Sequence, residues 1–121
     1  MENLIINGTL NTPSINIDLI AKTFEIKGVS LPENPYEFYG QIIEYLNNIV
    51  LNELTITCDL LYSNSSSTKS ILTILKNCFD RINKVTIIWM FDADDDDMRE
   101  LGEDFQHSIG TIFEFRIRNA N

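Results

Sequence analysis

The feature that most constrains the fold is a repeated change in the spacing of apolar residues along the chain. Three short stretches with the two-residue alternation of β-strands come first, at about residues 3–9, 14–20 and 23–29. Helical and strand spacing then alternate, and the later elements are a helix from the Leu31–Pro35 segment to about Leu51, a strand at Leu54–Leu61, a helix that begins near Asn64, a strand at Val85–Phe91, a helix at about 96–107 and a strand at Thr111–Ile117.

The resulting order, β-β-β-α-β-α-β-α-β, predicts an α/β fold built on a mixed β-sheet of about six strands with about three helices. Strands that are joined through a helix can run parallel, and we expect those crossovers to be right-handed, with the helices mainly on one face of the sheet. The Val85–Phe91 strand is apolar on both faces, as expected for a strand inside a sheet. The length of 121 residues predicts a single domain over residues 1–121.

The charge of the chain excludes two classes of partner. The formal net charge is −9, and the nine Lys and Arg residues are dispersed along the sequence. A nucleic-acid backbone or an anionic membrane surface would be repelled by such a chain, so we expect neither as a partner. We also expect no signal peptide and no membrane span, and hence a cytoplasmic protein. Cys58 and Cys78 stand in apolar contexts and are predicted to be buried free thiols.

The sequence offers few parts for catalysis. The chain has one histidine, His107, which stands between Gln106 and Ser108 near the end of the last predicted helix, and nothing in the local sequence supports a nucleophile–histidine–acid triad. Its five glycines are scattered singly, so no loop resembles one that cradles phosphates. We therefore expect a protein that is not an enzyme and that needs no cofactor.

The acidic run from Asp92 to Asp97 invites interpretation as a metal site. Counted from Asp92, it places carboxylates at the first, third and fifth positions of a calcium-binding EF-hand loop, with Glu103 at the twelfth. The sixth position holds Asp97, where that loop requires glycine for a sharp turn. Two interpretations fit better than a metal site: carboxylates that cap the following helix, or a surface including Asp95 and Asp96 that docks a basic partner.

The turn from the fourth strand into the second helix is rich in hydroxyl groups. Either Asn64 or Ser65 can be the N-cap of that helix, which accounts for one polar side chain. Ser63 and the run from Ser65 to Thr68 supply five hydroxyls. Because the first turn of a helix has unpaired amides and a positive dipole end, a covalent phosphate is favoured there. From the residues alone, capping and a regulatory site both remain open.

Four stretches of the chain together resemble the SiaC family of bacterial regulatory phosphoproteins, relatives of the STAS-type anti-sigma-factor antagonists. The resemblance covers essentially the whole chain, and the Pro-Glu-Asn element with the Asn-Ser-Ser-Ser turn is its most specific part. The stretches are Thr12-Pro13, the segment from Leu31 to Tyr39, the segment from Tyr62 to Ser67, and Trp89-Met90-Phe91-Asp92 running into 95–98 and 102–105.

The resemblance implies a STAS-like fold and a phosphoacceptor directly after the turn asparagine, which here is Ser65. Members of the family more typically carry threonine at that position, and serine keeps the hydroxyl. In this frame Asn64, Ser66 and Lys69 would support the site, because Asn64 holds the turn and Lys69 can partly neutralise a phosphate. The partner-binding surface would include Pro32, Glu33 and Asn34 together with Asp95 and Asp96. Of the neighbouring aromatic residues Tyr36, Phe38 and Tyr39, we expect two to pack in the core.

The family also implies the partners. They are a dedicated Ser/Thr kinase of the histidine-kinase-like ATPase type, a metal-dependent protein phosphatase, and an effector that binds the unphosphorylated protein. In the best-known branch the effector is a diguanylate cyclase, so the protein would promote cyclic-di-GMP synthesis. The alternative is a constitutive adaptor that docks through its acidic loop and has no phosphorylation switch.

The acidic loop generates the first testable prediction. Because Asp97 stands where a calcium loop needs glycine, we expect only weak electrostatic attraction of calcium, with a dissociation constant of about a millimolar or worse. Calorimetric titration of the full chain with calcium chloride measures this constant. Micromolar binding accompanied by a folding change would contradict the capping interpretation.

Overall fold

A computed structural model describes residues 1–118, so the last three positions of the domain predicted over 1–121 lie outside the described residues. Within them the elements follow the predicted order, which confirms the α/β class. The elements are β1 (Leu4–Ile6), β2 (Ser14–Asp18), β3 (Thr23–Ser30), α1 (Pro35–Asn47), β4 (Glu53–Ser63), α2 (Ser65–Arg81), β5 (Lys84–Phe91), α3 (Asp96–Ile109) and β6 (Glu114–Ile117).

The six strands form one mixed sheet in which spatial order equals chain order, β1 to β6. The first three strands pair antiparallel, whereas β3, β4, β5 and β6 pair in parallel. Since each parallel crossover moves to the next strand in the same direction, crossovers of one hand place α1, α2 and α3 on the same face of the sheet. Consistent with this, α2 contacts both α1 and α3. No helix of the described chain is both long and apolar enough to cross a membrane.

The core lies between the helices and one face of the sheet. Along β4, Leu54, Ile56, Cys58 and Leu60 are buried, while Thr55, Thr57 and Asp59 alternate onto the other face. The register aligns these rows, because Ile26, Cys58 and Trp89 stand side by side on β3, β4 and β5. Burial of each large apolar side chain stabilises the fold by about 1.5–3 kcal/mol. The face without helices carries fewer buried side chains, of which Ile88 on β5 is one.

Helix α3 approaches the sheet closely at one glycine. A Cβ atom on Gly102 would lie 2.5 Å from the Trp89 ring, so only glycine lets the helix pack at this distance. The Trp89 indole donates a hydrogen bond of 2.9 Å to the Met98 carbonyl, and its ring meets Phe105 edge-on at 5.1 Å between centroids. These contacts fix the start of α3 relative to β5.

Three element ends differ from the predicted ones by three or four residues, and local side chains explain two of them. The first strand ends at Ile6 and not near residue 9, because Thr9 Oγ1 accepts the amides of Asn11 and Thr12 and so starts a turn. Helix α1 ends at Asn47, four residues before the predicted end at Leu51. The last strand begins at Glu114, because the Gln106 side chain takes the Phe113 amide at 2.8 Å and holds the preceding loop.

The two thiols generate the second prediction. Cys58 and Cys78 are free and buried, as predicted, and burial raises their pKa values to about 12 and about 11. The folded protein should therefore react with thiol reagents at pH 8 at least about a hundredfold more slowly than the urea-unfolded chain. A Cys58→Ala/Cys78→Ala variant should lose roughly 1–2 kcal/mol of unfolding free energy through small cavities. Rapid labelling of the native protein, measured by absorbance, would contradict this picture.

Candidate functional site

Three predicted segments meet at one edge of the sheet, here called the carboxyl edge. It comprises residues 31–34, 63–66 and 92–97, which follow the carboxyl ends of β3, β4 and β5. Parallel neighbours end at the same edge, and each of these strands leads directly into a helix. The backbone joins the second segment to the last residue of β3, directly before the first segment, because the Asn64 amide donates to the Ser30 carbonyl at 3.1 Å. Residues predicted to form the site from three distant parts of the sequence are thus neighbours.

Each helix that begins at the carboxyl edge has a side-chain cap. Asn34 Oδ1 accepts the Glu37 amide at 3.2 Å, Asn64 Oδ1 accepts the Ser67 amide at 2.9 Å, and Asp95 Oδ1 accepts the Met98 amide at 3.0 Å. Of the two N-cap candidates for α2, Asn64 is therefore the cap. The capping role predicted for the acidic run is filled by Asp95.

The three helix starts differ in charge. The first turn of α1 contains Glu37, and that of α3 contains Asp96 and Asp97, whereas the first turn of α2 contains no acidic residue. Carboxylates near a helix N-terminus offset the positive end of the helix dipole by about 0.3–1 kcal/mol each. The start of α2 is therefore the one of the three whose dipole end is not offset by an acidic side chain.

The hydroxyl groups around this start are in three different environments. The hydroxyls of Ser63 and Thr68 share a hydrogen bond of 2.7 Å, which ties the end of β4 to the first turn of α2. Ser67 is fully buried. Ser65 and Ser66 are exposed, and Lys69 is exposed one helical turn after Ser65. Ser65 and Ser66 are thus the hydroxyls of this turn that an enzyme can reach without local unfolding.

A buried hydroxyl cluster lies beneath the same turn. The hydroxyls of Ser30, at the end of β3, and Tyr39, on α1, share a buried hydrogen bond of 2.5 Å. Burial raises the pKa of Tyr39 to about 12, an effect that the hydroxyl of Ser30 and, more weakly, that of Ser67 oppose. Ser67 Oγ approaches Tyr39 without forming a hydrogen bond to it and has no other partner among residues 1–118. The cluster thus brings together the last residue of β3, the second turn of α1 and the first turn of α2.

The Pro-Glu-Asn segment presents only part of itself to solvent. Pro32 is buried, whereas Glu33 and Asn34 are exposed. Of the aromatic residues that follow, Tyr39 is buried, Phe38 is half-buried and packs edge-on against the Tyr39 ring, and Tyr36 is 82% exposed. The expectation that two of the three pack in the core is confirmed.

Part of the acidic run has a structural role. Asp92 pairs with Arg118 at 3.1 Å, and Arg118 also pairs with Asp59 on β4. Burial lowers the pKa of Arg118, but the hydrogen bonds and charges of Asp59 and Asp92 outweigh burial and raise this pKa. Asp95 caps α3, while Asp96 remains largely exposed. The carboxylates left free for a partner are thus fewer than the sequence suggests.

The described residues contain no group of three or more His, Cys, Asp or Glu side chains arranged to hold a metal ion. His107 is exposed in the last turn of α3.

Two hollows flank the start of α2. One, of about 180 Å³, lies toward α3 and is lined by Leu61, Tyr62, Ser63, Asp95, Asp97, Met98 and Leu101. The other, of about 270 Å³, lies between α1 and α2 and is lined by Tyr36, Ile43, Ser66, Lys69, Ser70 and Thr73. The charged side chains of the first are acidic, and the charged side chain of the second is a lysine. The exposed Ser65 is the first residue of α2 and lines neither hollow.

Sequence reasoning missed the buried cluster and the anchoring of the acidic run. Ser30 and Tyr39 are nine residues apart, and their pairing depends on how α1 packs. Asp59 and Arg118 are 59 residues apart, and no local pattern connects them. The α1–α2 hollow has one weak signal in the sequence, which is the group of aromatic residues Tyr36, Phe38 and Tyr39, since Tyr36 lines it.

Comparison with known proteins gives consistent matches over almost the whole chain. The sequence model of the SiaC family regulatory phosphoproteins matches residues 6–119. An uncharacterised protein of Pseudomonas aeruginosa is 33% identical over 119 residues, which cover 93% of this chain and 94% of that protein. The crystal structure of apo-SiaC from Pseudomonas aeruginosa superposes with a TM-score of 0.80 at 33% identity, covering 98% of this chain and 99% of that one.

A further solved structure contains a complex. It is the crystal structure of the diguanylate cyclase SiaD with its activator SiaC from Pseudomonas aeruginosa. The matched chain has a TM-score of 0.78 and 33% identity, with 94% of this chain and 97% of that chain covered.

The charge difference between the helix starts generates the third prediction. Asn64→Asp keeps the capping oxygen and adds a charge where none offsets the dipole, so it should raise the unfolding free energy by about 0.3–1 kcal/mol at low salt. Asn64→Ala removes the cap and should lower it by about 1 kcal/mol. Asn34→Asp is the matched control, with a smaller gain because Glu37 already stands in that turn. Urea denaturation measures all three, and an Asn64→Asp variant no more stable than Asn64→Ala would refute the argument.

Proposed function

Because the chain belongs to the SiaC family of regulatory phosphoproteins, we propose that it is a partner-switching protein controlled by reversible phosphorylation of Ser65. The unmodified form binds and regulates an effector protein, and the phosphorylated form releases it. A Ser/Thr kinase of the histidine-kinase-like ATPase type adds the phosphate, and a metal-dependent phosphatase removes it. In this proposal the chain performs no catalysis, uses no cofactor and works in the cytoplasm.

The observation that carries this proposal is the position of Ser65 as the first residue of α2, exposed at a helix start without acidic side chains. The Asn64 side chain takes the Ser67 amide and the Asn64 carbonyl takes the Thr68 amide, which leaves the amides of Ser65 and Ser66 to interact with a phosphate. Phosphate adds about −1.5 to −2 charge, which the positive dipole end and Lys69 can partly offset. Modification is therefore compatible with the folded domain.

A relative indicates the class of the effector. The SiaC protein of Pseudomonas aeruginosa is named as the activator of the diguanylate cyclase SiaD in their crystal structure. We propose by analogy that the effector of this chain is also a diguanylate cyclase, and that the unmodified chain promotes cyclic-di-GMP synthesis.

The physical basis of release is charge at an interface. The chain already carries a net charge of −9, so a phosphate on Ser65 increases repulsion of any acidic partner surface. At an apolar contact, the phosphate must also lose water without finding a partner. Leaving one such charge unpaired in an interface costs about 2–4 kcal/mol of binding free energy. The exposed Leu61 and Tyr62 just before the turn provide apolar surface of this kind.

A constitutive adaptor remains the second candidate, and exposed carboxylates favour it. Asp94, Asp96 and Asp97 are exposed on the loop and first turn before and within α3. A basic partner docked on them would bind independently of the state of Ser65. The two candidates therefore differ in one measurable quantity, which is the dependence of effector affinity on phosphate.

The fourth prediction concerns Ser65 itself. Ser65→Ala should fold normally, resist the kinase and bind the effector constitutively, because the Ser65 hydroxyl forms no hydrogen bond within residues 1–118. Ser65→Asp carries one charge on a shorter side chain and should weaken effector binding only in part. Phosphorylation should weaken it by about 2–4 kcal/mol, or about 30- to 1,000-fold in dissociation constant. Intact-mass and peptide mass spectrometry after incubation with kinase and ATP locate the phosphate, and calorimetry gives the affinities.

Ser66→Ala is the matched control, since Ser66 is the neighbouring exposed hydroxyl. It should accept phosphate on Ser65 at the wild-type rate. Phosphate on Ser66 would move the acceptor by one residue. Equal effector affinity of the modified and unmodified proteins would refute the switch and leave the adaptor.

A further inference from the structure

The distribution of charge along α2 is opposite to that of the whole chain. Between Asp59 and Asp80 the sequence contains no acidic residue, and its charged side chains are Lys69 and Lys76. This segment of 20 residues has a formal charge of +2 in a chain whose net charge is −9. Neither lysine forms an ion pair with a carboxylate of residues 1–118. The exposed side of α2 is thus a cationic strip on an acidic protein.

The geometry of the helix aligns this strip with the start of α2. At 100° of rotation per residue, one side of α2 carries four residues whose directions around the helix axis differ by at most about 80° and which span roughly 16 Å along it: Ser65, Lys69, Thr73 and Lys76. Ser65, Lys69, Thr73 and Lys76 are all exposed. The Thr73 hydroxyl donates to the Lys69 carbonyl at 2.9 Å, so it does not compete for the lysine side chains. Asp80, one turn after Lys76, ends the strip.

The strip borders the α1–α2 hollow, and the two α1 residues that line this hollow are uncharged. Tyr36 and Ile43 line it from α1, and Gly40 lies between them on the same side of that helix. A Cβ atom on Gly40 would meet no atom within 4 Å, so a side chain at this position would extend into open space next to the lining residues Tyr36 and Ile43. The exposed ring of Tyr36 and the half-buried Ile43 give the hollow an apolar wall opposite Lys69.

We propose that the α1–α2 hollow docks an acidic amphipathic helix of a partner protein. Its apolar side chains would pack on Tyr36 and Ile43, and its carboxylates would pair with Lys69 and Lys76, a helix-in-groove mode of recognition. Charge complementarity selects this occupant, because two lysines suit a short acidic segment. A nucleic acid would be repelled by the rest of the chain.

This inference rests on the proposed function and specifies the chemistry of the partner. A phosphate on Ser65 would stand at the end of the strip, one turn from Lys69. It would compete for the charge of that lysine and repel the carboxylates of the docked helix. The strip and the switch would thus act on the same segment of the partner.

The test uses the full chain and synthetic peptides, so it does not require the effector. The probe is a blocked peptide of about 16 residues, ~24 Å long when helical, with leucine at helical spacing and glutamate on both flanks. Matched peptides carry glutamine or lysine in place of every glutamate. Each peptide is titrated into isotope-labelled protein, and the NMR chemical shifts of the backbone amides are followed. The glutamate peptide should shift the amide signals of Tyr36, Ser66, Lys69 and Thr73.

Two pairs of variants separate charge from shape. Lys69→Glu/Lys76→Glu should raise the dissociation constant of the glutamate peptide by about tenfold or more at low salt. The control is Lys84→Glu, at the opposite end of the sheet, which should change this constant by less than about twofold. Gly40→Phe should also raise the dissociation constant of the glutamate peptide by about tenfold, because the ring fills the hollow. Gly40→Ala should bind the peptide as the wild type does, and its melting temperature should be no lower than that of the wild type. Melting temperatures show whether each variant folds.

The outcomes are distinct from those of the Ser65 test. Equal binding of glutamate and lysine peptides, shifts at the Lys22–Lys84 end, or wild-type binding by Gly40→Phe would each overturn the inference. It would also be overturned if Lys69→Glu/Lys76→Glu abolished a self-association of the chain, since the occupant would then be a second copy. If phosphate on Ser65 weakens effector binding while the substitutions at Gly40, Lys69 and Lys76 do not, the proposed switch would stand and the proposed docking site in the α1–α2 hollow would be refuted.

Discussion

The architecture depends on the parallel pairing of β3, β4, β5 and β6 in chain order. Two parallel neighbours must be connected by a crossover that passes over one face of the sheet. Because the crossovers have the same handedness and proceed in the same direction, all three helices lie on one face. The same constraint brings the carboxyl ends of β3, β4 and β5 to one edge, where α1, α2 and α3 begin side by side. The three segments of the carboxyl edge are distant in sequence, and the strand topology alone is enough to place them next to one another.

Electrostatics then distinguishes the middle helix from its neighbours. Helices α1 and α3 offset their dipoles with acidic side chains, and α3 is further held by Asp95 and by the Asp92–Arg118 pair. Helix α2 has an uncharged cap in Asn64, a first turn of hydroxyls and an exposed side with two lysines. In a chain this acidic, an added negative charge on this surface would oppose a locally positive charge, whereas elsewhere it would join carboxylates already present.

Sequence reasoning succeeded where the controlling interactions are local. The strand and helix periods predicted the fold class, and the run of polar side chains before α2 limited its N-cap to Asn64 or Ser65, of which the structure shows Asn64. It failed by a few residues at the end of β1 and the start of β6, because single side chains, Thr9 and Gln106, set those turns. It could not find the Ser30–Tyr39 bond or the Asp59–Arg118 pair, since each depends on the packing of elements that no periodic pattern places in register.

The turn before α2 is held by groups other than the hydroxyl of Ser65. The Asn64 side chain fixes the Ser67 amide, the hydroxyls of Ser63 and Thr68 bind each other, and the Asn64 amide is held by the Ser30 carbonyl. Below them, the buried Ser30–Tyr39 bond fixes α1 against β3. Within residues 1–118, a charge added at Ser65 would break none of these hydrogen bonds. Under the proposed function, phosphorylation would therefore change the affinity for a partner while the domain keeps its conformation, and the difference between the two proposed states would come from the chemistry of the partner surface.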